Sequence, residues 1–473
     1  MLTLAEVWQG ITGQEIGDPR AAELCFRDVV IDSRLAKDRS LFIALRGEKD
    51  DGHNYVQDAL QRGATAAIID KMVDRMALTM DTTQRPLSLP SLPLTPPLCL
   101  LVEDTLKALH DMAAYHRRRF DVRVIGVTGS IGKTMAKEAI YSVLSRNFPT
   151  LKSEENLNNE IGLPLALLAL EEGHTKVVLE MGMYALGEIA QLAAIALPQV
   201  GVVTNVSYSH LERLGSLESI AQAKAELIQA LPPDGTAILN GDDPRVKAMK
   251  SMTEAQVLYY GLSPDCHLRA SHVESRGLDG IRFRMHYGHE TLHVKVPLLG
   301  RHSVHTALAA AAVGLTEAQP WGRIVAGLRD MAVQLRLIAT PGLNGSTIID
   351  DSYNASPTST LAALNLLAEL TGRKITVLGD MLELGSYEEE GHRKVGRRVA
   401  EVTDKLVAVG SLGSIIGREA IAIGMDKDDV FFAEDNLQAV LFLQGIVDPG
   451  DLILIKGSRG MRMEEIVAQL GER

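Results

Sequence analysis

One stretch limits the fold more than any other: DVRVIGVTGSIGKTMAKEAIYSVLS, residues 121–145. A short apolar run (Val124, Ile125, Val127) passes through a glycine-rich loop into a segment with apolar residues three and four apart. A continuous apolar run has no polar face, so such a strand must be covered on both sides, as in a parallel sheet flanked by helices. The loop ends in Gly132-Lys133-Thr134, the tail of a phosphate-binding loop. The general pattern places a glycine five residues before the Gly-Lys pair. Val127 stands there, and the glycines are at Gly126 and Gly129. Such loops work because successive N–H groups and a helix N-terminus converge on phosphate oxygens, a lysine reaches the terminal phosphates and a hydroxyl coordinates Mg2+. A strand-to-helix turn that binds no nucleotide is the competing reading.

The rest of the chain repeats this logic. Its 473 residues suffice for about three domains of the usual 100–200 residues. Residues 1–105 alternate β-rich runs (DVVIDSR, SLFIAL, ATAAIID) with helical stretches such as HNYVQDALQRG. Residues 85–97 hold five prolines, which fix φ and give no N–H, so they read as a loop. Residues 103–120 predict an amphipathic helix whose His116–Arg119 run is a solvated end. Residues 106–334 form a central block with buried strands KVVLEM, QVGVVTNV and TAILN. Residues 335–473 form a third, with STIIDD, KITVLGDM, KLVAVG, DVFFAE and DLILIKG. The expected fold class is α/β in three domains: an N-terminal α/β domain, a central parallel sheet of ATPase type and a Rossmann-like doubly wound C-terminal domain.

Composition removes other classes. With 48 basic against 60 acidic side chains and a net charge of -12, a general affinity for nucleic acid or anionic membrane is not expected. Aromatic content of 4% offers no base-stacking platform. Cys25, Cys99 and Cys266 are far apart and make no CxxC or Cys/His spacing, which fits a reducing compartment. The start lacks a secretory pattern and no apolar run is long enough to span a bilayer. A cytoplasmic protein without membrane insertion is expected.

Two polar residues stand where ligands bind in parallel sheets, just beyond strand ends. Glu180 closes VVLEMG, and a carboxylate there is costly to bury without a cation partner; Mg2+ suits a site beside a phosphate loop. His210, in TNVSYSHLE, taken alone fits an ordinary hydrogen-bonded histidine at least as well.

TGSIGKT resembles the TGxxGKT loop of the Mur ligases, ATP-dependent amide-forming enzymes of peptidoglycan assembly, a form that lacks the first glycine of the general pattern. DSR, LFIALRGEKDDGHNYVQDALQRGA, ENLNNEIGLPLALL, HLERLGSLESIAQAKAELI, LNGDDP, IIDDSYNASPTS, LGDMLELG and IKGSRGMRME follow in the family's order. DDSYNASP and GDMLELG resemble the branch that adds D-alanyl-D-alanine to UDP-N-acetylmuramoyl-tripeptide. The alternative is a Mur-type ligase with another amino-acid substrate. The resemblance implies ATP and two Mg2+ ions. Thr128, Gly129, Ser130, Ile131, Gly132, Lys133 and Thr134 would hold the phosphates, with Thr134 and Glu180 as Mg2+ ligands. His210 would bind a second Mg2+, supported by Lys224 as a carbamate; without the resemblance Lys224 reads as a solvated helix lysine. Asn158 and Asn159 would position reacting groups, Arg336 would touch the γ-phosphate and Asp351 would hold the ribose. The first domain would take the UDP end, with Ser33 and Arg34 as contacts, though loop capping fits these two equally well. Tyr353 and Asn354 would line a dipeptide pocket. A monomer is expected.

The chain departs from the family in two places. GxHNxxN reads GRHSVHT here, with Ser303 and Thr306 in place of the asparagines. The second normally faces adenine, and threonine cannot offer an amide's paired donor and acceptor. Either adenine selectivity is weaker or Asn240 compensates. Met135 replaces a threonine inside the helix and should matter little.

Overall fold

Strand and helix alternate through the computed structural model, which describes residues 1–47, 50–73, 78–83, 94–154, 157–208, 211–333 and 338–471. Most of the proline-rich loop and the positions of His210 and Arg336 lie outside the described residues. The chain divides into two compact units. One comprises residues 1–126, 148–182 and 188–198; the other comprises 127–147, 183–187 and 199–473.

The first unit contains an all-parallel sheet of β1 (Asp28–Val30), β2 (Ser40–Ile43), β3 (Ala66–Ile69), β4 (Leu78–Asp81) and β5 (Leu98–Leu101), in the order β1-β2-β3-β5-β4. Successive side chains point to opposite faces, and both faces are apolar. Leu41, Ile43, Ala66, Ile68, Leu98 and Leu100 pack with Trp8 and Leu109 on one side. Phe42, Ala67, Ile69 and Cys99 pack with Val56 and Ala59 on the other. This two-sided burial is why these strands read as unbroken apolar runs.

The helix expected at 103–120 is Thr105–Arg118, capped by Asp104, whose carboxylate accepts from Lys107 N–H at 2.8 Å. Its basic end is solvated only in part, as Arg118 and Arg119 are exposed but His116 and Arg117 are buried. Arg117 is buried because its guanidinium donates to the carbonyls of Ala196, Phe120 and Val122 at 2.9–3.0 Å. That arrangement satisfies a buried cation with carbonyl dipoles. The phosphate-loop strand β6 (Arg123–Thr128) follows, then β7 (Thr150–Lys152) parallel to β8 (Lys176–Glu180).

In the second unit β9 (Val200–Val203), β10 (Thr236–Asn240), β11 (Gln256–Gly261) and β12 (Leu268–Ser275) are successive parallel neighbours. β13 (Ile281–Tyr287) and β14 (Glu290–Val296) extend them antiparallel. A separate six-stranded sheet has the order β15-β16-β20-β17-β18-β19, formed by β15 (Ile338–Gly342), β16 (Ser346–Asp350), β17 (Lys374–Leu378), β18 (Lys405–Val409), β19 (Val430–Ala433) and β20 (Leu452–Lys456). Only β15 runs antiparallel to its neighbour. Apolar cores cover both faces, the doubly wound arrangement expected for the third block. No helix among the described residues is long and apolar enough to cross a membrane.

Candidate active site

The phosphate loop is held in shape by the segment following β9. At Gly129, φ is +147° and an added Cβ would lie 1.9 Å from Thr204 Oγ1, so only glycine fits. Gly132, at φ +79°, caps the helix Lys133–Leu144. Ser130 N–H donates to Asn205 O at 2.9 Å. The Asn205 amide grips Ile131 at both ends: Ile131 N–H donates to Oδ1 at 3.0 Å and Nδ2 donates to Ile131 O at 2.9 Å. Thr204 Oγ1 also donates to Ile131 O. The Ser130 hydroxyl is engaged by the backbone of Ser207, accepting from its N–H at 2.9 Å and donating to its carbonyl at 3.1 Å. Ser130 and Ile131 thus bind protein through these groups. The part of the loop built to meet an anion is the N-terminus of the 12-residue helix, with Lys133 and Thr134 on its first turn. Thr128 ends β6, and its carbonyl accepts from Thr204 N–H.

Lys224 lies on the helix Leu217–Gln229 and is 2% exposed, against its reading as a solvated lysine. Burial, and secondarily the charge of Lys133, push its pKa well below the ordinary lysine value. Its amine makes no ion pair among the described residues.

In the first unit Glu180 ends β8 and is buried, accepting from Asn158 Nδ2 at 2.9 Å. Asn159 Oδ1 accepts from Gly162 N–H at 2.9 Å and Ile161 N–H at 3.3 Å, at the start of the helix Gly162–Leu168. Asn158 therefore orients Glu180, whereas Asn159 serves a helix end. Ser33 is buried in a short 3-10 turn, and the more exposed Arg34 pairs with Asp32.

Asn240 spends both ends of its amide on protein: Nδ2 donates to Thr204 O at 2.8 Å and Oδ1 accepts from Asp242 N–H at 3.0 Å. As placed, it braces the segment after β9 and presents no paired edge to a base. Ser303, at the start of the helix Val304–Thr316, turns inward and donates to Leu299 O at 2.6 Å. Thr306 is on that helix's first turn, beside His305, which contacts Asp242 at 2.7 Å.

In the third block Asp351 follows β16 and forms an ion pair of 2.7 Å with Lys456. Lys456 is 2% exposed and also donates to Asn354 O at 2.8 Å. Tyr353 lies under Arg459, whose guanidinium carbon is 5.5 Å from the ring centroid. Asn205 and Lys456 were missed as single residues in the sequence. The TNVSYSH and IKGSRG stretches that hold them carried the signal.

Three segments match known family domains in chain order: the Mur ligase family catalytic domain over 26–117, the Mur ligase middle domain over 127–314 and the Mur ligase glutamate ligase domain over 335–459. A UDP-N-acetylmuramoyl-tripeptide–D-alanyl-D-alanine ligase of Bacillus subtilis (strain 168) is 37% identical over 97% of this chain and 96% of its own. MurF from Acinetobacter baumannii superposes with a TM-score of 0.83 at 29% identity, covering 99% of this chain and 98% of that one. MurF ligase from Thermotoga maritima, solved in complex with ADP, gives 0.77 at 26% identity, covering 94% and 97%.

Proposed function

The chain belongs to the Mur ligase family, and on that premise we infer that it is the ATP-dependent ligase joining D-alanyl-D-alanine to UDP-N-acetylmuramoyl-tripeptide in peptidoglycan precursor synthesis. The observation that carries this reading is 37% identity to such a ligase over 97% of the chain. The phosphate-loop geometry agrees with it.

A carboxylate is a poor acyl donor because its leaving group would be oxide. In the proposed reaction a carboxylate oxygen of the tripeptide attacks the γ-phosphorus of ATP and the bond to ADP breaks. The resulting acyl phosphate is attacked at carbon by the dipeptide amine. The amine surrenders a proton, phosphate departs with the bonding electrons, and an amide remains. The first step brings anions together, so cationic groups and N–H dipoles at the meeting point are what the protein must supply. Lys133 and the helix N-terminus behind it do so, and Arg336 is assigned the same task at the γ-phosphate.

Mg2+ would neutralise phosphate charge, with Thr134, Glu180, His210 and Lys224 as its proposed holders. Lys224 can serve there on one condition. As an ammonium, Lys224 would repel a cation. Burial beside Lys133 disfavours that ammonium, and a neutral amine can add CO2, give up a proton and become an anionic carbamate. Asp351, oriented by Lys456, is assigned the ribose. Ser33 and Arg34 are assigned the UDP end, and Tyr353 and Asn354 the dipeptide. Acyl phosphates hydrolyse, so water must be kept from the intermediate. The three-domain division at residues 105 and 334, a monomeric state and a cytoplasmic location complete the proposal.

The test is ADP release with UDP-N-acetylmuramoyl-tripeptide, with and without D-alanyl-D-alanine. Release that needs the dipeptide is expected. Release indifferent to it overturns the reading.

A further inference from the structure

The segment 204–208 is tied at one end to the phosphate loop and at the other to the third block. The first tie is the set of hydrogen bonds from Thr204, Asn205 and Ser207 to Ser130 and Ile131. The second begins one residue later. The Tyr208 ring stacks on Tyr387 with centroids 4.1 Å apart and planes 20° from parallel. Beside it, Glu212 N–H points to Glu383 O at 3.4 Å. Gly385 approaches the Glu212 backbone so closely that an added Cβ would lie 2.9 Å from its Cα. Glu383 and Gly385 both take left-handed backbone, φ +64° and +53°, which shapes residues 383–387 for this contact. His392 fixes the root of the same loop, its Nε2 accepting from Met381 N–H at 3.0 Å.

We propose that 204–208 is a strap that couples docking of residues 383–387 to the shape of the phosphate loop, making Tyr208 and Tyr387 positioning residues for ATP. This rests on the ligase reading. Ser207 uses both backbone polar groups on Ser130, and Asn205 uses its whole side-chain amide on Ile131, so the strap has little freedom to move without the loop. A displaced Tyr208 carries Ser207 with it, and Ser207 carries Ser130. The stack rewards the arrangement in which both ends are held. The dipeptide-branch stretch GDMLELG thus contributes its last residues to docking as well as to any pocket.

The experiment compares Tyr208→Ala, Tyr387→Ala, the double variant, Tyr208→Phe and Tyr387→Phe. ATP affinity is measured by calorimetry without acceptor substrates, and steady-state ATP KM and kcat are measured with them. Losing an aromatic pair should weaken ATP by about three- to tenfold in each alanine variant. The double variant should be no weaker than either single, because both remove one coupling. The phenylalanine variants, which keep the stack, should bind as wild type. Additive losses in the double variant, wild-type affinity in either alanine variant, or phenylalanine as damaging as alanine each overturn the proposal. Wild-type dipeptide-dependent ADP release in the same series tests the ligase reading separately, and the calorimetry stands whichever way that assay falls.

Discussion

Lys224 places its amine in a buried position where the charge of Lys133 acts upon it. Two like charges acting on each other in a buried place are an unfavourable arrangement, and converting one to an anion removes the conflict. Lys224→Ala should therefore lower ligase turnover by about 100-fold, the scale of removing one organised electrostatic group. A small carboxylate such as acetate should partly restore it, standing in for the carbamate. Full turnover in the alanine variant would show that the carbamate assignment is wrong.

Lys456 is another buried cation with a specific task. It bridges Asp351 and the carbonyl of Asn354, so Lys456→Met takes this donor from both. Breaking a buried pair from one side costs about 3–5 kcal/mol. Asp351 keeps some solvent, its side chain being 21% exposed, so about 2 kcal/mol is expected by denaturant unfolding. ATP KM should rise about tenfold as the ribose carboxylate loses its orientation. Adding Asp351→Asn should cost less than the two single losses summed, because the two residues share one interaction.

His116 and His392 are both buried, and burial holds each pKa below the ordinary histidine value near 6.5. The unfolded chain then takes up protons at a higher pH than the folded one. Their neutral forms carry stability in full above about pH 6.5, and it is lost as pH falls toward the lowered folded values. Thermal melts should show Tm level from pH 8 to 7 and falling below about 6.5. His392→Asn, which keeps an acceptor for Met381 N–H, should flatten that slope. An unchanged slope would assign the acid sensitivity elsewhere.

Legibility followed the physics of each element. Strands such as VVLEM and LILIK are buried on both faces and show as plain apolar runs. β12 to β14 escaped notice because burial alternates along LRASHVES, IRFRMHY and ETLHVKV, leaving no continuous apolar signal. The glycine loop announced a phosphate site through residue types alone. Arg117 misled because a basic run at a helix end ordinarily stays in water, and nothing local reveals that distant Ala196 supplies a carbonyl. Asn205 and Lys456 were hidden for a related reason. Their roles are hydrogen bonds to partners 74 and 102 residues away in the chain, and a lone Asn or Lys carries no sign of them.

The two loop glycines are constrained differently, and that difference can be measured. Gly132 has left-handed φ but nothing within 4 Å of an added Cβ. Gly132→Ala therefore meets only backbone strain of about 1–2 kcal/mol and should keep ATP binding within about tenfold of wild type. Gly129→Ala meets strain and collision together. Its Cβ would overlap Thr204 Oγ1 at 1.9 Å and crowd Thr204 Cβ at 3.0 Å and Asn205 N at 3.2 Å. Relief requires Thr204 to give up its bond to Ile131 O and Asn205 to shift its grip, which moves the loop itself. Gly129→Ala should therefore lose measurable ATP binding by calorimetry. Adding Thr204→Ala should recover only part of it, because the Asn205 backbone still crowds the new methyl group. Equal effects from the two glycine substitutions would mean that the contact with Thr204 does not set the loop's shape.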